Sequence, residues 1–302
     1  MAGLAAALLV VMQLTGLAPS SWTNAVAGLA ARHATATLER PAVVNYQPVA
    51  MPVQTAPRRL SLSAASVYAV DADTGQVLYQ QNADQKRPIA SITKLVTALV
   101  IVRRHVPDEV ITVPTLPAYD PADSRLGLVS GQRLTVEALL EAMLIPSADD
   151  AADSLAIADS GTDTAFSAKM NQLVTDWGIS DTHFASPSGL VDTGNYTTAQ
   201  SLAKLASLAL ANPLVAHITS TPTTTIKTTT GTTFTVVTTN DLLREGVVSG
   251  IKTGYTPAAG QSLVGLARVD GHSVVTVILG STDRFGDTTT LINYCKETYQ
   301  WH

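Results

Sequence analysis

Pro88-Ile-Ala-Ser91-Ile-Thr-Lys94-Leu-Val-Thr-Ala-Leu-Val-Ile-Val102 is where the chain changes character. Leu95, Ala98, Leu99 and Val102 recur at helical spacing and Pro88 stands just ahead of them, which predicts a helix over residues 91–102. Upstream, residues 66–71 and 76–80 alternate like strands around the turn formers Ala72-Asp73-Thr74-Gly75, as in a hairpin. Downstream, residues 135–143, 148–158 and 165–177 read as helices, the first two parted by Pro146, and Thr197 with Gln200 is spaced for a capping box that opens another. The Thr-rich stretch 218–239, broken by Gly231, reads as a β-hairpin rather than a mucin-like segment. Strands over 260–269 and 273–280 turn at Asp270-Gly271, and a last helix covers about 287–300. Strands at both ends of a long helical block predict an α+β fold. The two ends would join in one antiparallel sheet, the helices would form a second lobe, and a site would lie in the crevice between them.

Bulk properties narrow the function. The 302 residues are 46% hydrophobic and 14% charged, with a net charge of -5 and no cluster of Lys and Arg beyond the isolated pairs Arg58-Arg59 and Arg103-Arg104, which argues against a nucleic-acid partner. One cysteine, Cys295, excludes an internal disulfide and reads as a small apolar residue of the last helix. His33, His105, His183, His217, His272 and His302 are scattered without a ligand pair, so neither a metal nor another cofactor is expected.

Residues 2–12 are continuously apolar and Ala25-Val26-Ala27 offers a small-residue cleavage site, although the first basic residue is Arg32. The expectation is a signal peptide or N-terminal membrane anchor over 1–27 and a flexible linker over 28–60, punctuated by Pro41, Pro48, Pro52 and Pro57. A folded domain over 61–302 would follow, placing the protein outside the cytoplasmic membrane or in the cell envelope. With the last helix ending near His302, membrane attachment would fall to the N-terminal segment if it is left uncleaved.

Three short motifs carry chemistry. In Ser91-Ile-Thr-Lys94 a hydroxyl and an amine share one helix face a turn apart. A serine is a weak nucleophile until a base takes its proton, and a buried lysine can be driven toward the neutral form that does so. Ser147-Ala-Asp149 opens a helix; as an N-cap with a first-turn acid it needs no enzyme, while functionally Ser147 could pass a proton to a leaving group. Lys252-Thr253-Gly254 offers a cation and a hydroxyl for a carboxylate, with Gly254 allowing a substrate backbone to approach a strand edge. Each motif alone is weak.

Together, in this order and spacing, they resemble the serine-type D-alanyl-D-alanine carboxypeptidases, the low-molecular-mass penicillin-binding proteins. Similar segments extend well beyond the triplets: Asp71-Ala-Asp-Thr-Gly75, Met143-Leu-Ile-Pro-Ser147, Ser188-Gly-Leu-Val-Asp192, Thr239-Asn-Asp-Leu-Leu243 and Gly250-Ile-Lys-Thr-Gly-Tyr-Thr-Pro257. The resemblance implies a β-lactamase-like fold and an acyl-enzyme formed on peptidoglycan stem peptides, with β-lactams as inhibitors. Carried over by position, Ser91 is the nucleophile, Lys94 the base, and Ser147 with Lys252 the proton relay. Backbone N–H groups of Ser91 and of Tyr255 or Thr256 form the oxyanion hole, and Thr253 with Arg284 grips the terminal carboxylate. The second motif departs from the family pattern, ending in Asp149 where Asn is usual. An ionised carboxylate only accepts hydrogen bonds, and beside Lys94 it favours the protonated amine. Two alternatives therefore stand beside the carboxypeptidase: a D,D-endopeptidase with the same residues, and a non-catalytic peptidoglycan-binding or penicillin-binding module. A β-lactamase is disfavoured because no Glu-x-x-Leu-Asn segment lies between Asp159 and Gly194, and a Ser-His-Asp hydrolase because there is no G-x-S-x-G.

Overall fold

The computed structural model describes residues 50–301, apart from 57 and 191–193. The expected signal or anchor segment and the linker up to residue 49 lie outside the described residues.

The main sheet is entered by the antiparallel hairpin β1 (Ser66–Asp71) and β2 (Val77–Gln81). It then runs through α1 (Lys94–Val102), α2 (Val136–Leu144), α3 (Asp149–Ser160), α4 (Asp163–Asp176), α5 (Ala199–Leu210) and α6 (Pro213–Thr219). It returns to the sheet with β3 (Ile251–Thr256), β4 (Gly260–Val269) and β5 (His272–Ser281), and closes with α7 (Arg284–Thr298). The sheet order is β3-β4-β5-β1-β2, every neighbour antiparallel. Its two ends do join, through β5 and β1, where Val277 faces Tyr68 and Thr276 faces Ala69.

Both faces of the sheet are covered, and the strand pattern shows how. Val275, Val277 and Leu279 of β5 pack with Tyr68 into the cluster built by the helical lobe. Val274 and Ile278 pack with Val67 and Ala69 against α7, where Cys295 is buried. Side chains two apart share a face, so a central strand covered on both sides reads as the nearly unbroken apolar run Val274–Leu279.

Several local expectations shift. The helix anticipated from residue 91 begins as a 3-10 turn, Ala90–Thr93, before α1. The cap of α5 is Thr198, whose Oγ1 accepts from the Ser201 N–H. Thr197 belongs to a short strand pairing with Arg87, and its hydroxyl meets that of Thr182. Residues 218–239 are not all hairpin: Ile218 and Thr219 end α6, and the hairpin pairs Thr223–Lys227 with Thr233–Val237. The last helix starts three residues early because Asp283 caps it, accepting from the Gly286 N–H. Contacts of the folded unit also begin before residue 61. Val53–Gln54 pairs with Tyr299–Gln300, and Arg58 meets Glu297, so the end of the expected linker is joined to the domain.

Candidate active site

Ser91 sits on the 3-10 turn that enters α1, and two glycines approach the turn closely. Ala90 adopts φ 49°, a left-handed conformation that side chains disfavour. Against it lies Gly189 at φ +86°, where a Cβ would fall 2.0 Å from the Ala90 carbonyl oxygen. Also against the turn is Gly254 of β3, where a Cβ would fall 2.6 Å from the Ile89 carbonyl oxygen. Gly254 thus admits the turn that carries Ser91, a reason different from the substrate approach expected of it.

Lys94 follows one turn later and is fully buried. Its Nζ donates to Ser91 Oγ at 2.8 Å, to Asp149 Oδ1 at 2.7 Å and to the Ser188 carbonyl at 2.7 Å. Burial pulls the Lys94 amine below its ordinary pKa, against the pull of the Asp149 charge. The same burial pushes the Asp149 carboxyl up, against the opposing effect of Lys94. Both changes favour moving the pair toward its neutral form.

Ser147 does not cap α3. The helix starts at Asp149, and Ser147 lies two residues ahead at φ 70°. This left-handed backbone is held by its neighbours: the Ala148 N–H donates to the Ala142 carbonyl and the Asp149 N–H to the Ser124 carbonyl. Ser147 Oγ thereby meets Lys252 of β3, whose Nζ donates to it at 2.8 Å and to the Thr253 carbonyl at 3.0 Å. Lys252 is buried as well; burial and then the Lys94 charge bring its pKa well below the usual amine range, so it gives up a proton readily.

Ser91, Ser147, Asp149, Thr253, Gly254, Tyr255, Thr256 and Arg284 line one cleft of about 390 Å³. Arg284, the first residue of α7, donates Nη1 to the Gly254 carbonyl at 3.3 Å, and its buried Nε has no hydrogen-bond partner among the described residues. Every residue singled out from the sequence is therefore on this cleft or, like Lys94 and Lys252, hydrogen-bonded to a residue of its wall. Three contributors were not assigned. Thr239 lines the cleft and shares a hydroxyl–hydroxyl hydrogen bond with Thr253. Ser188 supplies the carbonyl on Lys94, and Asp123 adds a second acid to the wall. Thr239 and Ser188 begin two of the segments quoted above, which was the available signal; Asp123 had none.

The wall is braced from α3. Asp150 accepts from the N–H groups of Leu126, Gly127 and Leu128, and Asp153 from Tyr119 Oη at 2.7 Å, pinning the segment that carries Asp123 and Ser124.

A buried amine on a cleft-lining serine, with a second amine–serine pair beside it, is equipment for acyl transfer. Comparison with known proteins agrees. The family model for D-alanyl-D-alanine carboxypeptidase matches residues 52–283. The chain is 34% identical over 261 residues to a D-alanyl-D-alanine carboxypeptidase of Streptomyces sp. (strain K15), covering 80% of this chain and 89% of that one. It is 29% identical over 272 residues to the D-alanyl-D-alanine carboxypeptidase DacF of Bacillus subtilis, covering 86% and 69%. Its fold is similar to that of penicillin-binding protein D2 from Listeria monocytogenes in the cefotaxime-bound form, at TM-score 0.69 and 32% identity over 79% of this chain and 99% of that one. The chain belongs to the D-alanyl-D-alanine carboxypeptidase family, serine hydrolases with the β-lactamase-like fold.

Proposed function

We propose that Ser91 is the acyl-accepting nucleophile of this carboxypeptidase and Lys94 its base. The contact of 2.8 Å between a fully buried Nζ and Ser91 Oγ carries the assignment. Ser91 attacks the carbonyl between the two terminal D-alanines of a peptidoglycan stem peptide. The departing D-alanine takes a proton from Ser147, which Lys252 replenishes over 2.8 Å. Backbone N–H groups of Ser91 and of Tyr255 or Thr256 hold the developing oxyanion. Arg284, Thr253 and Thr239 form the polar end of the cleft that takes the terminal carboxylate; the free Nε of Arg284 supports this. Water then hydrolyses the ester.

The same serine is the proposed site of β-lactam acylation, supported by the family and by the cefotaxime-bound neighbour. Export, with or without retention at the membrane through the N-terminal segment, is proposed from the apolar run at residues 2–12.

Intact mass after exposure to a penicillin tests the reading, with wild type and Ser91→Ala side by side. The expected result is an adduct on wild type only, with Ser91→Ala keeping its circular dichroism spectrum. An adduct on both proteins would remove Ser91 as nucleophile. No adduct on either would favour the non-catalytic module. Release of D-alanine from a pentapeptide, set against cleavage of a crosslinked dimer, separates carboxypeptidase from endopeptidase.

A further inference from the structure

An ammonium has three N–H donors, and Lys94 Nζ has three acceptors in contact: Ser91 Oγ, Asp149 Oδ1 and the Ser188 carbonyl. In the ion-paired arrangement the lysine donates to all three and has no lone pair for the serine's proton. It must lose a proton before it can act as the base. A hydroxyl and a peptide carbonyl are too weakly basic to take that proton, and the lysine side chain is closed to solvent, at 0% exposure with Asp149 at 1%. The carboxylate is the acceptor that remains.

We propose that Asp149 takes this proton from Lys94 and holds it through acylation, so that the base is generated inside the cleft rather than by loss of a proton to water. The proposal rests on the assignment of Ser91 and Lys94 above and gives a function to the residue that departs from the family pattern. An asparagine at this position accepts a hydrogen bond but takes up no proton.

The step balances. A proton moves from Lys94 Nζ to Asp149 Oδ1, leaving a neutral amine and a neutral acid. Ser91 Oγ bonds to the acyl carbon and its proton passes to Lys94. As the carbon–nitrogen bond breaks, the leaving nitrogen takes the Ser147 hydroxyl proton, and Ser147 takes one from the Lys252 ammonium. The acyl-enzyme holds protonated Lys94, neutral Asp149 and neutral Lys252, and the enzyme's net charge is unchanged. The groups acting on Asp149 are Lys94 from the nucleophile's helix, Lys252 from β3, Asp123 from the cleft wall, and Asp153 one turn along α3. Burial favours the neutral pair over the ion pair, which assists the transfer.

Two measurements on the intact protein test this: infrared difference spectra on acylation by a penicillin, and the acylation rate against pH for wild type and Asp149→Asn. Acylation of wild type is expected to add a protonated-carboxyl band that Asp149→Asn lacks. The wild-type rate is expected to fall toward acid where Asp149 takes a proton from solvent. In Asp149→Asn it should fall where Lys94 itself becomes protonated, higher by about one pH unit or more. No carboxyl band on acylated wild type, or one shared acid limb, would overturn the proposal. Asp149→Asn that is faster by a constant factor at every pH would make Asp149 a brake and overturn it too. The wild-type spectrum decides alone if the variant fails to fold. Wild type that is never acylated would instead bring down the underlying assignment of Ser91.

Discussion

Gly189 and Gly254 both stand against the backbone of the Ser91 turn, so single atoms added there should reach the chemistry. In Gly189→Ala the left-handed backbone alone costs about 1–2 kcal/mol, and the added methyl meets the Ala90 carbonyl. A clear fall in melting temperature is expected. Gly254→Ala has no such backbone penalty but pushes β3 away from the turn. It should fold while acylating on the order of 10²-fold more slowly, as stopped-flow acylation by a penicillin would register, because small displacements of reacting groups are expensive. Equal rates in Gly254→Ala and wild type would show that the strand's approach to the turn is not needed. The motifs identified the chemistry-bearing residues at this scale, but not how they are held. Ser147 read as a helix cap because sequence carries no signal for a left-handed serine fixed by the carbonyls of Ala142 and Ser124. Asp123 went unnoticed because its position on the wall depends on Asp150 and Asp153 of a distant helix.

At the scale of one element, α3 carries two acids with opposite pH dependence. Burial would raise Asp159, but hydrogen bonds from Lys169, Ser160, Arg104 and His105 outweigh it and hold the carboxyl well below its usual range. Its stabilising contribution is therefore present at neutral pH and fades as pH falls below about 4. Asp159→Asn should lower the melting temperature at pH 7, with the difference from wild type shrinking in acid. Lys169 and Arg104 remain partly exposed, which limits the effect. Asp153 is pushed up to about 7, chiefly by burial. Ionising it in the folded protein is unfavourable, so stability is lost as pH rises from about 4 through 7. Asp153→Asn, which can still accept from Tyr119, should raise the melting temperature at pH 8 and change little at pH 4. A variant less stable than wild type at pH 8 would contradict this. α5 was legible because it buries one face and leaves Gln200, Lys204 and Ser207 exposed, whereas β1 is covered on both faces and was legible from its residue types and the turn that follows it. Boundaries were less so. Thr197 and Thr198 are equally good caps, and only the pairing of Thr197 with Arg87 chooses between them. The Asn212-Pro213 start of α6 was a readable signal, masked by the threonines that follow.

Across the whole domain, the two serine–lysine pairs depend on both lobes. Ser147 precedes α3 of the helical lobe and Lys252 belongs to the sheet, yet they are 2.8 Å apart. One apolar cluster runs from α1, α2 and α5 to Tyr68, Val275 and Val277, so the lobes do not have separate cores on this side. Loss of penicillin acylation and loss of helical circular dichroism should therefore coincide along a urea gradient. Acylation disappearing well before helicity would mean that the lobes separate first. The pairing of β1 with β5 closes the sheet around the long central excursion, and the order of elements along the sequence was enough to anticipate it.

Where the described chain begins, two residues of ladder, Val53–Gln54 on Tyr299–Gln300, lie with the Arg58–Glu297 contact beside the last helix. So short a ladder is the part of the domain that a pull on residue 50 would open first. Opening it breaks no pairing of the five-stranded sheet, so the wall of the cleft that β3 supplies would stay in register.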